Sequence, residues 1–136
     1  MSASAVFLRA AIRDALAADA PLSALLGGAK IYDEPPRSAD LPYVTLGQDV
    51  ISDASTATEQ GDEHALTLHV WSRQGGHKQA HLITGAVLEA LADAPLDLDE
   101  HRLANLRFIA ADVRREGDGR TYHGIVRLRA LTEPAS

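Results

Sequence analysis

The feature that most constrains this chain is a change of hydrophobic period between Glu63 and Leu91. The stretch reads EHALTLHVWSRQGGHKQAHLITGAVLEAL. In its first part Leu66, Leu68 and Val70 alternate with Thr67, His69 and Trp71. A period of two over this length marks a half-buried strand. Beyond Gly75-Gly76, the residues Ala80, Ile83, Val87, Ala90 and Leu91 recur at spacings of three and four. That spacing places them on one face of a helix, expected over about His77 to Ala92. A strand and a helix joined across a glycine break can fold back on each other and start a core. The expected class is therefore α+β.

The flanks fit the same plan. Ser4 is a candidate cap for a first helix running to about Ala18, with Ala5, Leu8, Ile12, Ala15 and Leu16 as its apolar stripe. Asp19 and Pro21 read as a cap and a first-turn proline. The short helix that follows, with Leu22, Leu25 and Leu26, is stopped by Gly27-Gly28. Lys30-Ile31-Tyr32 is a possible short strand, and the prolines of Asp33 to Asp40 make that segment a loop. Tyr43 to Ile51 reads as a strand with Val44, Leu46 and Val50 on one face. Ser52 to Asp62 is small, polar and acidic, the composition of a mobile surface loop.

Further on, His101 to Arg115 is mostly extended, with the strand clearest from Leu106. Leu106, Phe108 and Ala110 alternate there with Arg107, Ile109 and Ala111. Glu116-Gly117-Asp118-Gly119 forms a tight turn in which two glycines are free to take positive φ. From Arg120 to Thr132, Tyr122, Val126, Leu128 and Ala130 alternate with His123, Ile125, Arg127 and Arg129. The tail Glu133 to Ser136 is expected to fray. The sum is an antiparallel sheet of about four strands packed against helices, in one domain over residues 1–136.

Several function classes are disfavoured. No cysteine is present, so neither a disulfide framework nor a thiolate metal site is available. The formal charge of −6 argues against gripping a phosphate backbone, although Arg102, Arg107, Arg114, Arg115, Arg120, Arg127 and Arg129 crowd the last third. No apolar run approaches the ~20 residues of a membrane helix, and Arg9 and Arg13 interrupt the N-terminal apolar run. A soluble protein made in the cytosol, with no membrane partner, is expected.

Chemical signatures are missing. His77 and His81 share a helix face, but Lys78 lies between them and no third ligand is marked; solvated histidines are expected. His64 and His69 bracket a strand and are expected to be partly buried and satisfied. There is no G-x-S-x-G elbow, no phosphate loop and no calcium loop. The carboxylate pairs Asp97 with Asp99 and Asp62 with Glu63 lack an apolar setting that would raise a pKa. No catalytic residue, metal or cofactor is expected, and the chain is not expected to be an enzyme. Trp71 is expected to be core beneath helices covering both sheet faces; the alternative is an exposed interface anchor.

Taken together, the N-terminal helix pair, Ile31-Tyr32-Asp33 with its proline-rich loop, Leu41-Pro42-Tyr43-Val44-Thr45-Leu46-Gly47, the His69-Val70-Trp71-Ser72 strand with its helix, and the closing hairpin with Asp118-Gly119 and Tyr122-His123-Gly124 point to a family. Over nearly its whole length the chain resembles the small tail-completion, or tail terminator, proteins of long-tailed phages and gene transfer agents. The resemblance implies a lambda-type tail terminator fold and a structural virion protein. It implies a homohexameric ring on the head-proximal end of the tail tube, touching the tail tube protein and the head–tail connector protein. DNA would pass through the lumen without specific binding. Edge strands and loops would make the ring and tube contacts. The candidate subunit contacts set Arg114, Arg127 and Arg129 against Asp53, Glu59 and Asp62 of a neighbour. Two other classes stay open: a small cytosolic enzyme or ligand-binding α+β domain with an unmarked pocket, and a toxin–antitoxin or regulator-type module.

Overall fold

The structure is a computed structural model that describes residues 3–73 and 76–135. The elements run α1 (Ser4–Ala17), α2 (Ala20–Leu26), β1 (Ile31–Tyr32), β2 (Tyr43–Asp53), β3 (Asp62–Ser72), α3 (Gly76–Asp93), β4 (His101–Arg115) and β5 (Tyr122–Pro134). The class is α+β, as the change of period requires. Gly76 opens α3 with φ of 59°, a conformation that glycine adopts without a Cβ penalty. Its neighbour Gly75, half of the expected break, lies outside the described residues, as does Ser136.

The sheet has five strands in the order β1-β2-β3-β5-β4. Four are the expected antiparallel strands; the fifth, β1, is the possible short strand at Ile31-Tyr32, and it pairs parallel to β2 through Ile31 with Val44 and Tyr32 with Thr45. All other pairings are antiparallel. The core lies on one side of the sheet. Leu66, Leu68 and Val70 of β3 and Val126, Leu128 and Ala130 of β5 meet Leu8, Ile12 and Leu16 of α1 and Ile83, Val87 and Leu91 of α3. Burying each large side chain of this kind contributes about 1.5–3 kcal/mol. Gly124 allows the helix its close approach: a Cβ there would stand 3.0 Å from Thr84 Oγ1 and 3.2 Å from Val70 Cβ.

Three bulges correct the simple alternation. In β2 the register shifts between Leu46 and Asp49, so one extra residue enters the strand. Val50 thereby leaves the face of Val44 and Leu46, pairs with Ala65 and is exposed. Asp49 is turned inward instead. Arg9 of α1 covers the irregular backbone, donating to the Gly47 carbonyl at 2.6 Å and the Leu46 carbonyl at 3.3 Å. In β4 the register shifts between Leu103 and Asn105 and again between Phe108 and Ala110. Ala110 therefore lies opposite Arg127, while Ala111 lies opposite Val126 on the helix side, the reverse of an uninterrupted alternation.

Other boundaries move for local reasons. Ser4 is not a cap; Ala3 precedes the helix without a side-chain cap, and the buried Ser4 hydroxyl donates across the fold to Asp62 Oδ2 at 2.7 Å. Asp19 does cap α2, accepting from the Leu22 amide at 3.0 Å, with Pro21 in the first turn. Ser52, Asp53 and Asp62 belong to strands, which shortens the acidic loop to residues 54–61. That loop carries its own bonds: the Ala54 amide donates to Gly61 O at 2.9 Å and the Thr56 amide to Glu59 O at 2.7 Å. In the β4–β5 turn only Gly119 takes a positive φ, 74°, and Asp118 accepts from the Arg120 and Thr121 amides. Glu133 and Pro134 extend β5 rather than fray, and the Ala135 amide donates to Glu100 O at 3.0 Å.

Candidate assembly surface

Among the described residues, no helix covers the face of the sheet away from the core. Trp71 therefore is not core under a second helical layer; it is half-buried on this open face. Its indole Nε1 donates to Thr45 Oγ1 at 3.2 Å, and its ring stacks on His123 at 3.8 Å with planes 10° apart. His69 completes the cluster: its Nδ1 lies 2.7 Å from His123 Nε2, and His123 Nδ1 lies 2.6 Å from Glu116 Oε1. A single hydrogen fits between the two facing imidazole nitrogens, so the pair cannot hold a proton on both. Burial first, then the charges of His123 and Arg127, holds His69 below its ordinary value of 6.5. Gly47 makes room for this ring; a Cβ there would stand 2.5 Å from His69 Nε2 and 2.8 Å from Thr67 O.

Beside the aromatic cluster lies a charged lattice. Arg127 donates to Asp112 Oδ1 at 3.0 Å and Arg114 to Asp112 Oδ2 at 3.2 Å. The hydrogen bond from Arg127 is the largest cause holding the Asp112 carboxyl below its usual range. Arg129 donates to Glu63 Oε1 at 2.7 Å. The three arginines singled out from the sequence thus stand together on the open face, each with a carboxylate of its own chain. Among the described residues, Arg107 and Arg115 of β4 make no ion pair. The acidic candidates cluster at the far end of the sheet. Asp53 is exposed and bound by Ser55, whose hydroxyl and amide hold its pKa low; Glu59 is exposed in the loop; Asp62 is half-buried and receives Ser4.

Sequence reasoning missed one arrangement that resembles chemistry. Ser4, His64 and Asp49 converge under α1: Ser4 Oγ is 3.4 Å from His64 Nε2, and His64 Nδ1 is 3.0 Å from Asp49 Oδ1. The order of groups is that of a hydrolytic triad. Its geometry is that of a core network. Ser4 Oγ gives its hydrogen to Asp62, His64 Nε2 is closer to Thr132 Oγ1 at 2.9 Å, and His64 has no exposed surface. The nearby surface cleft is walled by Asp62 and Thr132 but by neither Ser4 nor His64. The expectation that His64 is satisfied holds, and its burial is complete. Only the Asp49 bulge could have signalled this network, and a bulge leaves no mark in the periodicity.

No group of three or more metal-ligating side chains is present among the described residues, and none of their helices is long and apolar enough to cross a membrane. What the described residues define is a scaffold with an uncovered, partly aromatic and charged sheet face, the kind of surface an assembly protein offers to a neighbour. Residues 10–133 match the family described as tail completion protein gp17, and the chain belongs to that family. It is 29% identical to the tail completion protein gp17 of Bacillus phage SPP1 over 102 residues, 74% of each chain. Its fold matches a chain in the virion of a native gene transfer agent particle with a TM-score of 0.88 at 34% identity, covering 98% of this chain and 99% of that one. It matches the structure of bacteriophage SPP1 gp17 with a TM-score of 0.60 at 26% identity, covering 94% and 89%. These relatives are structural components of phage and gene transfer agent particles, not enzymes, which agrees with the sequence expectation.

Proposed function

We propose that six copies of this chain form a ring on the head-proximal end of a tail tube, stop its polymerisation and join it to the head connector. The observation that supports this most is the near full-length likeness to a chain of an assembled virion. The open sheet face and the unpaired outer strands give the subunit surfaces to spend on neighbours. Its partners in this reading are further copies of itself, the tail tube protein and the head–tail connector protein. DNA passes through the lumen without specific binding, which the net charge of −6 favours. Contacts between the arginine face (Arg114, Arg127, Arg129) and the acidic end (Asp53, Glu59, Asp62) of the next copy belong to the same proposal. A ring of identical subunits needs one patch to meet a different patch.

Deleting the gene and imaging the particles tests the reading. Tails of uncontrolled length, or finished tails detached from heads, are the expected result. Normal, joined particles from the deletion strain would refute it.

A further inference from the structure

The sheet ends in two open edges. On one side β1 covers β2 only at Val44 and Thr45, so Gln48–Asp53 pairs with β3 alone among the described residues. On the other side β4 pairs with β5, and among the described residues only the Leu98–His101 bridge touches its outer edge. Unpaired backbone of this kind is a template for another strand. The two edges carry opposite charge. Between Arg37 and Arg73 the chain has Asp40, Asp49, Asp53, Glu59, Asp62 and Glu63 and not one Lys or Arg. Strand β4 has Arg102, Arg107, Arg114 and Arg115 against the single carboxylate Asp112. Each edge also exposes apolar side chains. Val50 and Ile51 are 57% and 50% exposed on β2, and Phe108 and Ile109 are 51% and 43% exposed on β4. Ile51, opposite His64, and Phe108, opposite Leu128, both lie on the helix side of the sheet.

We infer that the occupant of each edge is a second copy of this chain: the outer half of β2 in one subunit pairs with β4 of the next. The inference rests on the ring reading and names its seam. Within one subunit β2 is antiparallel to β3, β3 to β5 and β5 to β4, so β2 and β4 run in opposite directions. A neighbour related by rotation about an axis near the strand direction therefore presents its β2 antiparallel to β4. The sheet then continues through the joint without reversing a strand. Six residues of β2 offer an edge of about 20 Å. Arg107, which makes no ion pair among the described residues and stands level with Val50, comes beside the acidic half of the neighbour's β2. Ile51 and Phe108 close the helix side of the seam. The two patches differ, so the contact is heterologous and closes into a ring when the rotation allows.

The chain has no cysteine, which makes cross-linking unambiguous. Double variants place Val50→Cys or Ser52→Cys with Arg107→Cys or Ala110→Cys, and are expressed to complement the gene deletion; assembled particles are oxidised. The expected result for at least one pairing is a covalent ladder of this chain up to the ring, with single-cysteine variants giving none. A charge-reversed edge, Arg107→Glu, should cut finished particles at least tenfold, and Asp53→Arg in the same chain should recover them. Hydrogen exchange on the unaltered protein gives a second readout that no folding defect can disturb. Amides along β4 and over Gln48–Asp53 should gain protection on assembly. A six-fold ring in the particles with no ladder and no gain in protection would overturn the seam and leave the ring reading standing. Particles with no ring of this chain would overturn both.

Discussion

At the scale of single residues, the buried polar groups and the open-face histidines make opposite demands. The Ser4–His64–Asp49 network is enclosed, so loss of one member leaves another unsatisfied. Asp49→Ala should cost about 1–3 kcal/mol and Ser4→Ala about 1 kcal/mol, read from urea denaturation. Gly47→Ala should cost about 1–3 kcal/mol, because its Cβ would meet both the His69 ring and a backbone carbonyl. His69 introduces a pH dependence whose sign is fixed. Its folded pKa is held below 6.5, so the unfolded chain takes up the proton first as pH falls. The associated stability is present above pH 6.5 and is lost as pH drops through the folded value. Melting curves at pH 7.5 and 5.5 should show this loss, and His69→Gln should reduce the difference between them.

At the scale of elements, periodicity read directly what it measures. The faces of β3 and α3 follow from Leu66 to Leu91 because neither element is interrupted, and Asp19 with Pro21 marked α2 because capping is local. Val50 and Ala110 were misplaced because a bulge shifts every later side chain to the other face and depends on a partner strand far along the chain. Ser4 and Trp71 were misread for a related reason: each answers to a neighbour brought in by folding, Asp62 in one case and an uncovered sheet face in the other. The open face itself was hidden, since alternation shows that one side is buried without showing whether helices cover the second. Removing residues 54–60 would leave one residue between the paired Asp53 and Asp62, too few for a hairpin. Replacing residues 54–61 by Asn-Gly should preserve the fold by circular dichroism and thermal melting. It should also remove Glu59 and lower incorporation into particles; full incorporation would exclude this loop as a contact.

At the scale of the whole molecule, charge and apolar area divide the work of association. Opposite edges attract over a Debye length of about 10 Å at 0.1 M salt and about 3 Å at 1 M. Raising salt over that range should slow incorporation of added subunits into growing tails. Rings already formed should persist, because the apolar seam and strand pairing hold them once docked. Time-resolved electron microscopy of tails in an assembly extract measures both. Dissolution of finished rings at 1 M salt would show that charge alone holds them.

The bulges that place Asp49 and Asp112 have a consequence for how such a chain can change over generations. One extra residue precedes Asp49 in its strand and two precede Asp112, and each aspartate reaches its partner only with that count. Exchanging the identity of Ile109 alters a side chain; deleting it moves Asp112 to the opposite side of the sheet, and with it Arg114 and Arg115. These strands therefore tolerate spelling changes far better than changes of length, and insertions should be confined to the turns around residues 54–61 and 116–121.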